Sequence, residues 1–297
     1  MKPEGRRGLA IFVAGIALLT GVTAAAGIFL GGGEIFETVV SVRGETYEMA
    51  TTGVYAYNAK RLVAEGVGWD IFTLLFAVPA LLFALPGLLR DRLGAKLFTV
   101  GILAYLFYQY LMYAMTWAFG PLFLAFIAVY ALSLVAIVWI VSRIPVPELP
   151  DRFSDRFPRR GMAILSFVLA ALLVVMWLGR IIPALQGDIQ GVLVGQTTLV
   201  VQALDLGLIV PLALFTGVTA WRGSPMGYLL ASTVVVKAFA MASAICAMLL
   251  VAWYYEGALE VPPLIIFGTA AVVAAWLGVR MFRSLEPGES TTAGSAR

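Results

Sequence analysis

An all-α integral membrane protein is the fold class that the sequence predicts, and its composition and its hydropathy both indicate this. Hydrophobic residues make up 61% of the 297 residues and charged residues only 12%, about half of the usual charged share in soluble domains. The mean hydropathy of +0.95 agrees with this composition. The apolar stretches lack the polar and apolar alternation of membrane-spanning strands, so the predicted spans are helical.

Eight apolar stretches are long enough to cross the hydrocarbon layer, which takes roughly 20 residues of helix. The predicted spans are Leu9–Leu30, Trp69–Leu89, Ala95–Ala118, Pro121–Val141, Met162–Arg180, Thr198–Trp221, Met226–Trp253 and Pro263–Phe282. The first stretch follows a basic segment and ends near an alanine triplet, so a cleaved signal peptide is an alternative. Its length favours a retained helix.

Lysine and arginine residues are distributed unevenly between the two sets of connecting segments. With a cytoplasmic N-terminus, most of the 20 Lys and Arg residues lie in cytoplasmic segments, which is the positive-inside bias. We therefore predict that both termini are cytoplasmic and that the chain lies in the plasma membrane of a prokaryote. The lipid bilayer is its expected partner, and the scattered charges do not indicate nucleic acid.

The connecting segments predict further local structure. Segment 31–68 is the expected extracytoplasmic piece, with a short hairpin between Ile35 and Met49 and an amphipathic surface helix over Thr51–Glu65. Residues 144–160 hold four prolines and are expected to be a cytoplasmic linker between the halves. Residues 284–297 are expected to be a disordered cytoplasmic tail.

The two halves, residues 1–143 and 161–283, share a sparse pattern that predicts duplication. Pro79 aligns with Pro211 at the same offset that aligns Arg90 with Arg222, and coincidence is the alternative. Because four spans per half is an even number, the predicted repeats are parallel and related by an axis along the membrane normal. The two prolines are also expected to kink their spans at matching depths.

Polar residues inside the spans predict the site, because an ionisable group there costs about 2.5–3.5 kcal/mol to insert. Asp205 in the sixth span and Lys237 in the seventh are predicted to pair, either as a functional site or as a structural link between helices. Asp70 is either an N-cap or, in the repeat alignment, the counterpart of Gln202. The candidate substrate- or ion-binding residues are Asp70, Thr73, Tyr105, Gln109, Tyr113, Gln202, Asp205 and Lys237.

Three classes of function fit these features. The leading hypothesis is a transporter of a small molecule or ion, with its site near Asp205 and Lys237. The alternatives are an accessory or sensory subunit that binds a protein partner through the outer segment, and a membrane-embedded enzyme. No cofactor and no metal is expected, because the chain has no histidine and one cysteine, which removes the usual zinc, haem and disulfide chemistry.

Overall fold

The computed structural model describes residues 3–32, 35–189 and 191–286. Within these residues the chain is mostly helical, and eight of its helices have the length and composition to cross a membrane. In chain order they are α1 (Pro3–Leu30), α2 (Lys60–Leu89), α3 (Leu93–Thr116), α4 (Phe123–Val141), α5 (Arg159–Leu185), α6 (Val200–Arg222), α7 (Pro225–Glu256) and α8 (Val261–Arg283). The prediction of eight long apolar helices is confirmed.

The segment between α1 and α2 contains the predicted hairpin. Strand β1 (Phe36–Val40) pairs antiparallel with β2 (Thr46–Ala50). Gly44 in the connecting turn has φ +82°, a conformation that glycine adopts without steric cost. We call the end of the helical bundle that carries this hairpin the hairpin side.

The predicted surface helix over Thr51–Glu65 is wrong. Residues 51–59 form turns that fold back on the hairpin, and the Tyr57 N–H donates to the carbonyl of Ala50 at 2.7 Å. Tyr57 has φ 68°, which is outside the helical range. The helix begins only at Lys60 and continues directly into the second span, so apolar spacing in this segment reflects packing against the bundle rather than a separate helix.

Helices α2 and α6 each contain one π-helical turn that ends two residues before a proline. The turns cover Thr73–Ala77 and Asp205–Ile209. In each, the last N–H before the proline donates to the carbonyl five residues back. Because Pro79 and Pro211 have no N–H to continue the normal ladder, the helix accommodates each of them with one wide turn.

Helices α2, α3 and α7 form the centre of the bundle. α2 lies along α7 so closely that a Cβ on Gly68 would be 2.5 Å from the Cα of Met248. Helix α3 also packs on α7, while α1 contacts α2 and α4. In the second half α6 contacts α5 and α7, and α8 contacts α7, whereas α5 and α8 contact each other much less.

Segment 144–160, which the sequence predicts as a linker between the halves, is folded against the bundle. It contains two short 3-10 turns, Val146–Glu148 and Pro150–Arg152. Phe153 forms a backbone bridge with Leu285, just after α8 ends. The first residues of the predicted disordered tail are therefore paired, and the part of that tail from residue 287 onward lies outside the described residues.

Candidate functional site

A cavity of about 410 Å³ lies among α2, α3, α5, α6, α7 and α8. This volume is within the range of sites that hold small molecules, roughly 300–1,000 Å³. At the hairpin side the cavity is bordered by Arg61, Glu65 and Glu260, and it extends inward to Asp205 and Lys237. Most of the remaining wall is made of leucine, methionine and other apolar side chains. The cavity is an apolar space with polar groups at its mouth and in its interior.

Asp205 accepts hydrogen bonds from two neighbouring helices. The Tyr108 hydroxyl on α3 donates to Oδ1, and the Trp177 Nε1 on α5 donates to Oδ2 at 2.7 Å. Only 8% of Asp205 is exposed. One donor on each oxygen fixes the orientation of the carboxylate inside an apolar surrounding.

The direct ion pair between Asp205 and Lys237 that the sequence predicted is not formed. The Lys237 Nζ instead lies 4.6 Å from the centroid of the Tyr108 ring, where the electron-rich face attracts a cation. Tyr108 therefore contacts both charged groups, the carboxylate through its hydroxyl and the ammonium through its ring. The helix spacing placed the two charges about 7 Å apart in depth, but it gave no information about a tyrosine on α3 that reaches both.

Gln202, one turn before Asp205 on α6, also lines the cavity and is largely buried. Three of the eight sequence-predicted candidates, Gln202, Asp205 and Lys237, are thus brought together around one space. Their neighbour Tyr108 also lines this interior part of the cavity. We call these four residues the polar centre.

The other predicted candidates lie in a separate, closed part of the bundle. The Thr73 Oγ1 and the Tyr105 hydroxyl are 2.8 Å apart, and the Tyr113 hydroxyl donates to the carbonyl of Gly66 at 3.0 Å. Gln109 is buried, and neither of its side-chain polar atoms has a hydrogen-bond partner. Aromatic side chains occupy this region, and none of these candidates lines the cavity.

Asp70 belongs to the same closed region and is not an N-cap. It lies well inside α2, is 1% exposed, and accepts a hydrogen bond from the Tyr55 hydroxyl. Gly27 on α1 packs against this pair, where the carboxylate and the hydroxyl leave no room for a side chain. Burial, together with the charge of Asp70, raises the pKa of the Tyr55 hydroxyl well above its usual value. Tyr55 therefore remains a protonated donor at neutral pH.

Paired charges surround the mouth of the cavity. Arg61 on α2 forms ion pairs with Glu65 at 2.7 Å, with Glu256 at 2.7 Å and with Glu260 at 2.9 Å. These contacts join α2 to the end of α7 and the start of α8. The spacing of Arg61 and Glu65 along one helix indicates the first pair, whereas the other two depend on tertiary packing that the sequence pattern does not show.

The loop between α5 and α6 forms part of the cavity wall at the hairpin side and is held by the hairpin. Leu193 and Val194 line the cavity. The buried carboxylate of Glu45 accepts the N–H of Val194 at 2.9 Å and that of Gly195 at 3.1 Å. Val194 and Gly195 have positive φ angles, 50° and 78°. In this conformation their two N–H groups point at the same carboxylate.

Composition, eight long apolar helices and a partly polar interior define the chain as a polytopic membrane protein. Comparison with protein-family models, with curated protein sequences and with solved structures found no match to it. In the part of the chain that the structure describes, no group of three or more His, Cys, Asp or Glu side chains is placed to hold a metal ion.

Proposed function

We propose that this chain is a transporter whose substrate site is the cavity at the polar centre. One observation carries the proposal: the space continues from the hairpin side, past Arg61, to Asp205 and Lys237. Asp205 is about 8 Å from the start of α6, and Lys237 is roughly 18 Å from the start of α7 at the opposite side of the bundle, at 1.5 Å per residue. Both groups therefore lie within the span of the helices, as substrate sites of transporters do.

The orientation that we propose places the hairpin side outside the cell. The connecting segments on the opposite side carry most of the Lys and Arg residues, and such segments are retained in the cytoplasm. The cavity then opens to the exterior of a prokaryotic plasma membrane. The lipid bilayer surrounds the apolar helices, and the substrate reaches the polar centre from outside.

Parallel duplication of the halves is supported by the two π turns. They begin at Thr73 and Asp205, the residues that the alignment of Pro79 with Pro211 makes equivalent. Wide turns are rare in proteins overall, although they are found often at functional sites. Their occurrence at equivalent places in the two halves therefore favours a common origin. In this interpretation the first half has filled its equivalent region with aromatic side chains, and the second half has kept it open.

The wide turn of α6 supplies a means of changing the site. Asp205 is the first residue of that turn, and a Cβ on Gly207 within it would contact nothing within 4 Å. A bend of α6 at this turn would move the carboxylate away from Tyr108 and Trp177. Such a movement would release the polar centre from α3 and α5 and open it toward the other side of the membrane.

Cysteine accessibility tests this proposal, because Cys246 is the chain's one cysteine and Cys246→Ala removes the background. Met241→Cys places a thiol on the cavity wall, and Val235→Cys is the control on the same helix, since Val235 is 1% exposed. We expect a membrane-impermeant maleimide to label Met241→Cys from either side of oriented vesicles and to leave Val235→Cys unlabelled.

The two other possible results would contradict the transport proposal. Labelling of Met241→Cys from the outer side alone would indicate a receptor or accessory subunit, because a transport site must become accessible from both sides. Labelling from neither side would show a dry interface, in which the polar centre only links helices.

A further inference from the structure

Apolar side chains of α5, α6, α7 and α8 line most of the cavity, and those of α5 and α8 form two strips along it. On α5 the lining residues Leu165, Leu169, Leu172 and Met176 recur at helical spacing and form one face about 16 Å long. Pro263, Phe267 and Ala270 form the strip on α8. A long apolar wall of this kind is suited to a ligand with an aliphatic chain.

Helices α5 and α8 lie between this wall and the lipid-facing surface. The two helices contact each other little, and one close approach occurs near the end away from the hairpin, where a Cβ on Gly161 would be 2.9 Å from Leu277 Cδ2. Exposed apolar residues, Val168 on α5 and Val272 on α8, lie on the outer faces of the same helices. The loosely packed region between the two helices can therefore hold the aliphatic chain of a ligand that enters from the hairpin side.

Lys237 provides the polar end of the site. Among the residues that the structure describes, its ammonium contacts the Tyr108 ring but forms neither a hydrogen bond nor an ion pair. An ammonium has three donors and no acceptor, and in an apolar space these donors need acceptors. Both oxygens of Asp205 already accept hydrogen bonds, from Tyr108 and Trp177, so an acidic group of a ligand in the cavity would give Lys237 an acceptor of its own.

The cations at the mouth already have protein partners. Arg61 is already paired with three carboxylates. Arg180, the other cation that lines the cavity, donates to the carbonyl of Gly191 at 2.8 Å. Of the three cations in the described cavity wall, Lys237 is the one that lies in the interior and has no hydrogen-bond acceptor.

We propose that the cavity binds a single-chain amphiphile with an acidic headgroup, a carboxylate or a phosphate monoester, and that the headgroup pairs with Lys237. The aliphatic chain lies against the α5 and α8 walls. The proposal rests on the proposed function, because this amphiphile would be the transported species.

The test measures how amphiphiles slow maleimide labelling of Met241→Cys, in the Cys246→Ala background, in phosphatidylcholine nanodiscs. The probes are oleate, 1-oleoyl lysophosphatidate and the neutral oleyl alcohol. We expect at least one acid to protect the thiol at a concentration about tenfold or more below that of the alcohol, the ratio that a charge-assisted hydrogen bond supplies. Protection by oleate alone assigns a carboxylate, and protection by lysophosphatidate alone assigns a phosphate.

Lys237 variants decide whether the headgroup contact is the proposed one. Lys237→Met should abolish the preference for acid, and Lys237→Arg should keep it. Lys60→Met is the control, because Lys60 pairs with Glu48 outside the cavity, and it should leave the preference unchanged. Equal protection by acid and alcohol, or a preference that survives Lys237→Met, overturns the inference.

The outcomes separate this inference from transport itself. If Met241→Cys is labelled from both sides of the membrane but no acid is preferred, the transport proposal stands and the amphiphile is wrong. If an acid is preferred but labelling occurs from one side alone, the ligand class stands and transport is wrong.

Discussion

Tyr108 on α3 donates a hydrogen bond to the carboxylate of Asp205 on α6 and thereby joins the two halves of the chain inside an apolar space. The same tyrosine offers its ring to Lys237. One side chain thus sets the position of both ionisable groups at the polar centre, and each of its two contacts can be removed separately.

Tyr108→Phe removes the hydroxyl and keeps the ring. We expect the free energy of unfolding to fall by about 1.5–3 kcal/mol, because a buried carboxylate loses a donor. Unfolding in mixed detergent micelles measures this change. Tyr130→Phe is the matched control, since the Tyr130 hydroxyl forms no hydrogen bond with the described residues while its ring packs on Phe107. Equal losses in both variants would contradict the role of the Tyr108 hydroxyl.

Replacing the two charges should have unequal effects. Asp205→Leu leaves the Tyr108 hydroxyl and the Trp177 indole N–H without their acceptor, and each unsatisfied donor costs about 1–3 kcal/mol. Lys237→Met loses one cation–π contact, worth about 0.5–2 kcal/mol, and also removes a desolvated charge, so we expect a small change in unfolding free energy. The double variant should resemble Asp205→Leu.

This order of effects differs from that of a direct ion pair. In a direct pair, Lys237→Met alone would be strongly destabilising, and Asp205→Leu added to it would restore much of the loss. Measuring the two single variants and the double variant by the same unfolding assay distinguishes the arrangements. Recovery in the double variant would show that the two charges contact each other directly in the membrane.

The sequence predicted the number and nature of the helices because lipid imposes a length and an apolar composition on every span. It also predicted the hairpin, which is local in sequence, and it expected kinks at Pro79 and Pro211, next to which the structure has π-helical turns. It failed at the surface helix, where the backbone conformation of Tyr57 depends on contacts with the hairpin. Helical periodicity alone does not report such contacts.

The residues around the candidate site were predicted only in part, for a similar physical reason. Asp205, Lys237 and Gln202 were found because a polar residue in an apolar span is conspicuous. Tyr108 and Trp177 were missed, since aromatic residues are common in spans and at membrane interfaces. The packing of the helices decides which aromatic side chain reaches a carboxylate on another helix. Spacing along one helix does not contain this information.

Glu45→Ala should release the loop between α5 and α6. Two backbone N–H groups, of Val194 and Gly195, lose their shared acceptor, so we expect amide exchange of this loop to rise by about tenfold or more. Hydrogen–deuterium exchange with mass spectrometry measures the effect. Glu48→Ala is the control on the same hairpin, because Glu48 pairs with Lys60 instead. Unchanged exchange in Glu45→Ala would show that the loop is held by other contacts.

Stability at acidic pH should depend on Asp91 in the turn between α2 and α3. Burial of the carboxyl raises its pKa, but Lys96 lowers the pKa by a larger amount through its charge and its hydrogen bond, with Nζ 2.7 Å from Asp91 Oδ1. The net pKa of Asp91 is therefore below its usual value. A lowered folded-state pKa contributes stability above the unfolded pKa, near 4, and this stability is lost as the pH falls.

Asp91→Asn removes that contribution and keeps the shape of the side chain. We expect the variant to be less stable than the parent at pH 7 and the difference to shrink as the pH falls below about 4. Thermal unfolding at several pH values measures it. Asp151→Asn is the control, because Asp151 lies in an exposed 3-10 turn. A difference that is constant with pH would show that the Asp91 charge does not stabilise the fold.

Gly68→Ala tests the contact between α2 and α7 at the centre of the bundle. The added Cβ would lie 2.5 Å from Met248 Cα and 2.8 Å from the carbonyl oxygen of Ala247, and backbone atoms cannot move aside as a flexible side chain can. We expect a loss of about 1–3 kcal/mol. Gly15→Ala on α1 contacts nothing within 4 Å and should be neutral or slightly stabilising, because alanine favours a helix. Equal unfolding free energies in the two variants would mean that α2 and α7 are farther apart than this packing requires.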